Sequence, residues 1–250
     1  MHANRNQQLY SDAAVVGHYG KAEGLFPAER FLFSKYVQPG MDVLDVGVGG
    51  GRTTPHLSAP ARRYLGVDYS EPMVAECRKR FPDLEFMVGD ATDLAAIPDA
   101  SFDIAIFSFN GIDCIPTDEG RIACLHELKR AIRADGKIII SSHNARALGS
   151  FPDYSGADAL RVVWRTARAF WSLFRVGGRM LSTKGFWRGS GYIMDPVHGG
   201  LLLHVSSPES IARDCAAAGL RVVEQAGHFH PKRVPAWLNP WTNYVLQGSE

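Results

Sequence analysis

The sequence predicts an α/β fold: a mostly parallel sheet with helices on both faces, N-terminal helices before it and a helical insertion late in the chain. Three observations predict it. The apolar run Val43–Val46 breaks into Gly47, Gly49, Gly50 and Gly51, then resumes as Arg52-Thr-Thr-Pro-His-Leu57. Strand, glycine turn and helix in that order present a helix N-terminus to a ligand. A second apolar run ends at Asp68, 21 residues after Gly47. Further apolar runs then alternate with helical patterns, as parallel strands and their crossover helices do.

Composition narrows the class. The chain has 250 residues, 46% of them hydrophobic, which suits one globular domain with room for an insertion. A formal net charge of +1 gives no global bias toward nucleic acid or membrane. Cys77, Cys114, Cys124 and Cys215 form no CxxC pair and read as reduced thiols of a cytoplasmic protein. The first residues lack the apolar core of a secretory signal, and no apolar run is long enough to span a bilayer. The expected organisation is an N-terminal helical cap (1–38), a core (39–144), a lid or substrate insertion (145–205) and a C-terminal helix with a strand pair (206–250).

The elements follow in order. Leu9, Ala13, Val16 and Tyr19 share one helical face, and Phe31 to Val37 suggest a second helix. Pro39-Gly40 turns the chain into a strand at 42–46, and Gly47, Gly49 and Gly51 suit positive φ in the turn that follows. Arg63–Asp68 is the second strand. An acid about 20 residues beyond such a turn accepts from ribose hydroxyls, and Asp68 fits that role better than a helix cap. Ser70 reads as an N-cap, with Pro72 in the first turn of a helix that ends near Arg80.

Leu84–Ala91 is the third strand with its exit, and Ser101–Asn110 the fourth, nearly all apolar as a strand covered on both faces should be. Ligands in such sheets bind where strand order reverses, so Ser108, Phe109 and Asn110 are expected at the ligand, with Asp113 in reach. Asn110-Gly111 also reads as a tight turn. Glu119–Ala134 is predicted as a helix ended by Asp135-Gly136, and Lys137–Ser142 as the fifth strand, which delivers His143 to the binding edge.

Ala157–Val176 reads as a cationic amphipathic helix, its stripe including Leu160, Val163, Trp164, Phe170, Trp171 and Phe174, with Arg161, Arg165, Arg168 and Arg175 lying opposite. Two readings stand: contact with an anionic membrane or substrate through 157–188, or a lid packed on the core. Ser207-Pro208 opens a last helix that Gly219 ends, and Leu220–Glu224 and Thr242–Gln247 are the final strands.

Asp45, Gly47, Gly49 and Gly51 resemble the Asp-x-Gly-x-Gly-x-Gly motif of the class I S-adenosylmethionine (SAM) dependent methyltransferases, small-molecule type. The helix, Arg-Ala-Asp-Gly turn and fifth strand resemble that family's Arg-x-Leu-x-Pro-Gly-Gly segment, with Ala134 and Asp135 departing from it. The resemblance covers roughly residues 40 to 145. It implies a Rossmann-like seven-stranded sheet in the order 3-2-1-4-5-7-6, its last pair including one antiparallel strand, and SAM as cofactor. It further implies Tyr69 and Met73 at the adenine, Asp90 and Ala91 at the adenine edge, Thr53 in the turn with the glycines, and Tyr19 near the methyl sulfonium or simply packed.

Methyl transfer is an in-line displacement, so alignment is the protein's main contribution, and a hydroxyl nucleophile also gains from a general base. His143 ranks first for that role, with Asp113, His198 and His204 behind it. No metal is expected, since His228-x-His230 lacks a third ligand. The acceptor is read as a small molecule, glycosyl or lipid-linked. Asn110-Gly-Ile-Asp113 replaces the Asn/Asp-Pro-Pro-Tyr and Pro-Cys motifs of the nucleic-acid enzymes. The Gly-Gly-Thr-Gly turn of the polyprenyl-quinone enzymes is not matched either. A non-catalytic SAM-binding protein and a protein-side-chain methyltransferase stay open. An NAD(P) oxidoreductase is opposed by Arg52, which stands where that fingerprint needs a small residue.

Overall fold

A computed structural model describes residues 2–150, 152, 158–172, 174, 181, 184–195, 201–231 and 235–249. Arg175, Val176, Arg179 and His198 lie outside the described residues. The main sheet has seven strands in the order β3-β2-β1-β4-β5-β9-β8. These are β1 (Asp42–Val46), β2 (Arg63–Asp68), β3 (Glu85–Val88), β4 (Phe102–Phe107), β5 (Ile132–His143), β8 (Leu220–Gly227) and β9 (Trp241–Gly248). The first five are parallel, while β9 runs antiparallel to both β5 and β8. This is the order that the family resemblance implied.

Strand periodicity splits the core in two. Leu44, Val46, Ile138 and Ile140 point to one apolar cluster, shared with α6 (Asp118–Ala131) and α9 (Pro208–Ala217). Val43, Ile139 and Val245 point to the other, shared with α3 (Pro27–Tyr36) and α5 (Glu71–Arg80). Between β1 and α5 lie the short helix α4 (Thr54–Ser58) and β2.

Several expectations need correction. The N-terminal segment forms three helices, α1 (His2–Tyr10), α2 (Ala13–Gly20) and α3, because Asp12 caps α2 by accepting from Ala14 and Val15 N–H. Ser70 stands at the N-cap of α5, yet its hydroxyl donates to the Tyr10 carbonyl at 3.0 Å and so straps α1 down. Helix α6 stops at Ala131, earlier than Asp135-Gly136 suggested. Ile132 already pairs with Phe102, and Arg133 is drawn to Asp42 at 2.8 Å and Asp103 at 2.5 Å, so β5 begins five residues before Lys137. The insertion holds α7 (Ala159–Ser172) and α8 (Lys184–Arg188), and also an unforeseen antiparallel pair, β6 (Ser190–Asp195) with β7 (Leu201–Ser206). The stripe on α7 is not packed on the core: Leu160 and Trp171 are 80% and 65% exposed.

The N-terminal helices are fixed to the glycine turn by one ion pair. Arg52 donates to both oxygens of the buried Glu29 carboxylate, at 2.7 and 2.6 Å, and to the Gly24 carbonyl at 2.9 Å. Its guanidinium also lies 5.0 Å from the Phe26 ring and 5.1 Å from Phe109. Arg52→Ala leaves Glu29 buried without its cation, a loss of about 3 kcal/mol. Lysine is expected to rescue little, because it lacks the planar fork. Denaturant titration of the two variants measures this; an unchanged midpoint in Arg52→Ala contradicts it.

Candidate active site

A cavity of about 210 Å³ opens at the carboxyl ends of β1, β2, β4 and β5, roofed by Tyr10 and Tyr19 of the N-terminal helices. Its floor is the glycine turn. Gly47, Gly49 and Gly51 have φ of +65°, +55° and +82°, values at which a side chain is strained. Gly50 is required for a different reason: a Cβ there would sit 2.5 Å from the Tyr19 backbone carbonyl. Helix α2 therefore closes directly on the turn.

Asp68 is buried at the end of β2, and both of its oxygens hold backbone. One accepts from Gly49 N–H at 2.8 Å, the other from Ser70 N–H at 2.9 Å. Burial raises its pKa and these two donors oppose the rise. Each oxygen retains a lone pair for a ligand hydroxyl. Asp45 lies behind the turn, outside the cavity lining, where it accepts from Thr53 Oγ1 at 2.8 Å and Tyr64 OH at 2.9 Å.

Of the cofactor residues read from the sequence, Tyr19, Gly47, Gly49, Thr53 and Asp68 line the cavity. Tyr69, Met73, Ala91, Ser108 and Phe109 line it too. Three do not: Asp45, Gly51, whose Cβ position faces Phe81 and Cys77, and Asp90. The Asp90 carboxylate is turned back on its own loop, accepting from Thr92 N–H and Oγ1 at 2.8 Å each. Its neighbours Gly89 and Ala91 reach the cavity instead.

The fourth strand stops at Phe107, short of the expected Asn110, because two consecutive left-handed residues follow, Phe109 (φ +53°) and Asn110 (φ +61°). Ser141 Oγ secures them by accepting from Asn110 N–H at 2.7 Å. This reversal, followed by the 3-10 turn Gly111–Cys114, buries Asp113 completely behind His143. Asp113 accepts from His143 Nδ1 at 2.7 Å, His143 N–H at 2.7 Å, Ser142 Oγ at 2.7 Å and Arg121 at 3.3 Å. A carboxylate paired this way fixes the proton on Nδ1 and leaves Nε2 as an acceptor. His143 lines the cavity; Asp113 supports it from behind. Asn110 Nδ2 lies 3.5 Å from His143 Nε2. Asn110 Oδ1 and the Tyr69 hydroxyl are buried in the cavity wall with no hydrogen-bond partner, sites left for a polar ligand.

His204 lies outside the cavity lining, paired with Ser206 Oγ at 2.9 Å, and burial lowers its pKa to about 4. His228 is wedged between Phe26 and Trp241, at ring distances of 4.3 and 4.5 Å, and burial lowers it to about 3. Among the described residues no three His, Cys, Asp or Glu side chains are grouped to hold a metal.

Sequence reasoning missed Tyr10, Gly50, Cys114, Leu201, Leu203 and Trp241, all of which line the cavity. Leu201 and Leu203 carried a signal, because the alternation Leu201, Leu203, Val205 is that of a strand. Asn6 brings this strand to the site. It bonds Leu202 through both N–H and carbonyl, at 3.1 and 2.9 Å, and donates to the Cys114 carbonyl at 3.0 Å.

A mostly parallel sheet with this order, a glycine turn, an acid ending the second strand and a cleft at the switch point have the arrangement of a nucleoside-cofactor site of the methyltransferase kind. Residues 43–136 match the family model described as a methyltransferase domain. A demethylmenaquinone methyltransferase of Beutenbergia cavernae is 36% identical over 104 residues, 42% of this chain and 41% of that one. A probable S-adenosylmethionine-dependent methyltransferase of Mycolicibacterium smegmatis is 27% identical over 175 residues, 69% of this chain and 66% of that one. The fold resembles that of the CcbJ methyltransferase from Streptomyces caelestis, with TM-score 0.64 and 17% identity over 98% of this chain and 99% of that one. Together these support a class I SAM-dependent methyltransferase domain over residues 43–136. Its matches span 41% and 66% of the two curated relatives' own lengths.

Asp45 gives a pH signature of this architecture. Burial raises its pKa from 3.8 to about 6, so the folded state holds the proton more tightly than the unfolded chain does. Stability from this group is present below about pH 4 and lost as pH rises through about 6, a change of about 3 kcal/mol. Asp45→Asn does not ionise and lacks this fall. Its stability relative to the parent protein is therefore expected to improve between acid and neutral pH in urea titrations; parallel pH profiles would refute the assignment.

Proposed function

We propose that the protein transfers a methyl group from SAM to an oxygen or nitrogen nucleophile of a small-molecule acceptor, with His143 as general base and Asp113 as its positioning partner. One observation carries the reading: the Asp113–His143 pair opens into the same cavity as Asp68 and the glycine turn. A protein that only binds the cofactor has no use for an oriented imidazole there.

The residues present fit the cofactor. Asp68 would take the ribose hydroxyls, and Gly47 to Gly49 would admit the ligand against bare backbone. Tyr69, Met73 and Ala91 would enclose the adenine. Tyr19, Ser108 and Phe109 would face the methionine end, where ring faces suit a cation. When bound, SAM supplies an electrophilic methyl on a sulfonium. The chain's own part is to align the acceptor and take its proton. His143 Nε2 accepts the proton as the acceptor atom attacks, and the buried Asp113 stabilises the resulting imidazolium. Trp241, whose ring centre lies 5.6 Å from that of His143, and the Asp113 bond restrain the imidazole from two directions.

Tyr10, Leu201, Leu203 and Trp241 line the same cavity and would face the acceptor. These apolar walls favour an acceptor with an apolar ring or chain, a lipid-linked or glycosyl-aryl compound. Demethylmenaquinone, in the name of the Beutenbergia relative, is one such compound. The unmatched Gly-Gly-Thr-Gly turn does not weigh against it, because that turn belongs to the cofactor side.

His143→Ala is expected to lower kcat by about 10²- to 10⁴-fold while leaving SAM affinity within a few-fold. Asp113→Asn is expected to lower kcat in the same direction by disturbing the tautomer. Turnover assays with an identified acceptor, alongside SAM titrations, test both; unchanged kcat in His143→Ala removes it from the mechanism.

A further inference from the structure

The insertion presents a surface that methyl transfer leaves unused. In α7 the half-buried positions are Val162, Arg165 and Ala169, so that side faces the body of the protein. The apolar stripe lies on the other side, with Leu160 80%, Trp164 59%, Phe170 61% and Trp171 65% exposed. A helix oriented to complete the protein's own core would do the reverse. Arg161 and Arg168 run along one flank of the stripe, and the Arg168 guanidinium lies 5.1 Å from the Trp164 ring.

Charge identifies the partner. Ala159 to Met194 contains seven basic residues and no acidic one, while the remaining chain carries 20 basic and 26 acidic residues. A cationic apolar face on an otherwise acidic protein is attracted, face first, to an anionic surface.

We propose that α7 docks the protein peripherally on an anionic lipid bilayer. Its tryptophans and phenylalanine would enter the boundary between headgroups and acyl chains, and its arginines would pair with lipid phosphates. Tryptophan suits that boundary because one ring has both an apolar body and an N–H donor. A second copy of this chain fits less well. A two-fold pair sets the same patch against itself, arginines against arginines. Asp158 at the start of α7 is already engaged by Arg161 at 3.7 Å. The contact is superficial, since among the described residues no helix is long and apolar enough to cross a membrane.

The test is co-sedimentation of the full chain with phosphatidylcholine vesicles, with and without phosphatidylglycerol, at low and high salt. The readout needs neither cofactor nor acceptor, so it stands apart from the methyl-transfer reading. The protein is expected to bind the anionic vesicles at least about ten-fold more tightly than the neutral ones, with salt reversing most of the difference. The double variant Trp164→Ser, Trp171→Ser should lose that binding about ten-fold with an unchanged melting temperature, because both rings are exposed. Arg161→Gln with Arg168→Gln should narrow the anionic preference. Absence of sedimentation at low salt, or equal binding by the tryptophan variant, overturns the proposal. A concentration-dependent dimer that the tryptophan variant abolishes overturns it in favour of a second copy.

Discussion

A single buried carboxylate fixes the geometry on which the rest of the site depends. Asp68 ends β2 and accepts from Gly49 N–H in the turn after β1 and from Ser70 N–H at the start of α5. The turn after β1 and the junction of β2 with α5 therefore meet at one pair of oxygens. Removing a carboxylate from water is costly, and two backbone donors offset much of the cost. The arrangement also leaves the acid facing the cavity with acceptor capacity to spare. A side chain without an acceptor at this position loses the anchoring of the turn and, on the proposed reading, the recognition of the ribose diol.

The cap depends on that turn in a second tier. Once Gly49 is held, Arg52 is delivered at the beginning of the following segment and reaches Glu29 in α3. Gly50 offers bare backbone to Tyr19, and Ser70 holds the end of α1. Asn6 then ties α1 to β7, completing the wall with Leu201 and Leu203. The N-terminal helices, the glycine turn and the insertion thus form one enclosure through a handful of directional bonds. Its interior combines a carboxylate, bare glycine backbone and aromatic faces, the groups on which the proposed SAM site draws.

Much of the sheet was legible in the residues. Val43 to Val46 and Tyr64 to Asp68 are buried and, but for Asp45 and Asp68, free of charge, and the strand ends fell where the sequence placed them, because glycine and acid mark the exit from a parallel strand. The Asp113–His143 pairing was legible only as two candidates near one edge; what joins them is the left-handed pair Phe109-Asn110, and although Asn110 suits positive φ, nothing in Phe109 announces it. The early start of β5 was hidden because Ile132 to Gly136 reads as the end of a helix, whereas the ion pairs of Arg133 with Asp42 and Asp103 decide it. Arg52 was read as a misfit in one glycine fingerprint. Its reason for being there is Glu29, 23 residues earlier in the chain, and local pattern does not carry such information. The outward stripe of α7 was hidden for the opposite reason: periodicity identifies an apolar face and is silent on what covers it.

Calorimetric titration with SAM and with S-adenosylhomocysteine, on the parent protein and on Asp68→Ala, tests the central claim most directly. The account predicts one site per chain for both ligands and binding at least about ten-fold weaker in the variant, since a charged acceptor of two hydroxyls is worth about 1.5–3 kcal/mol per bond. Failure of the parent protein to bind either ligand, or binding that Asp68→Ala leaves unchanged, would contradict it.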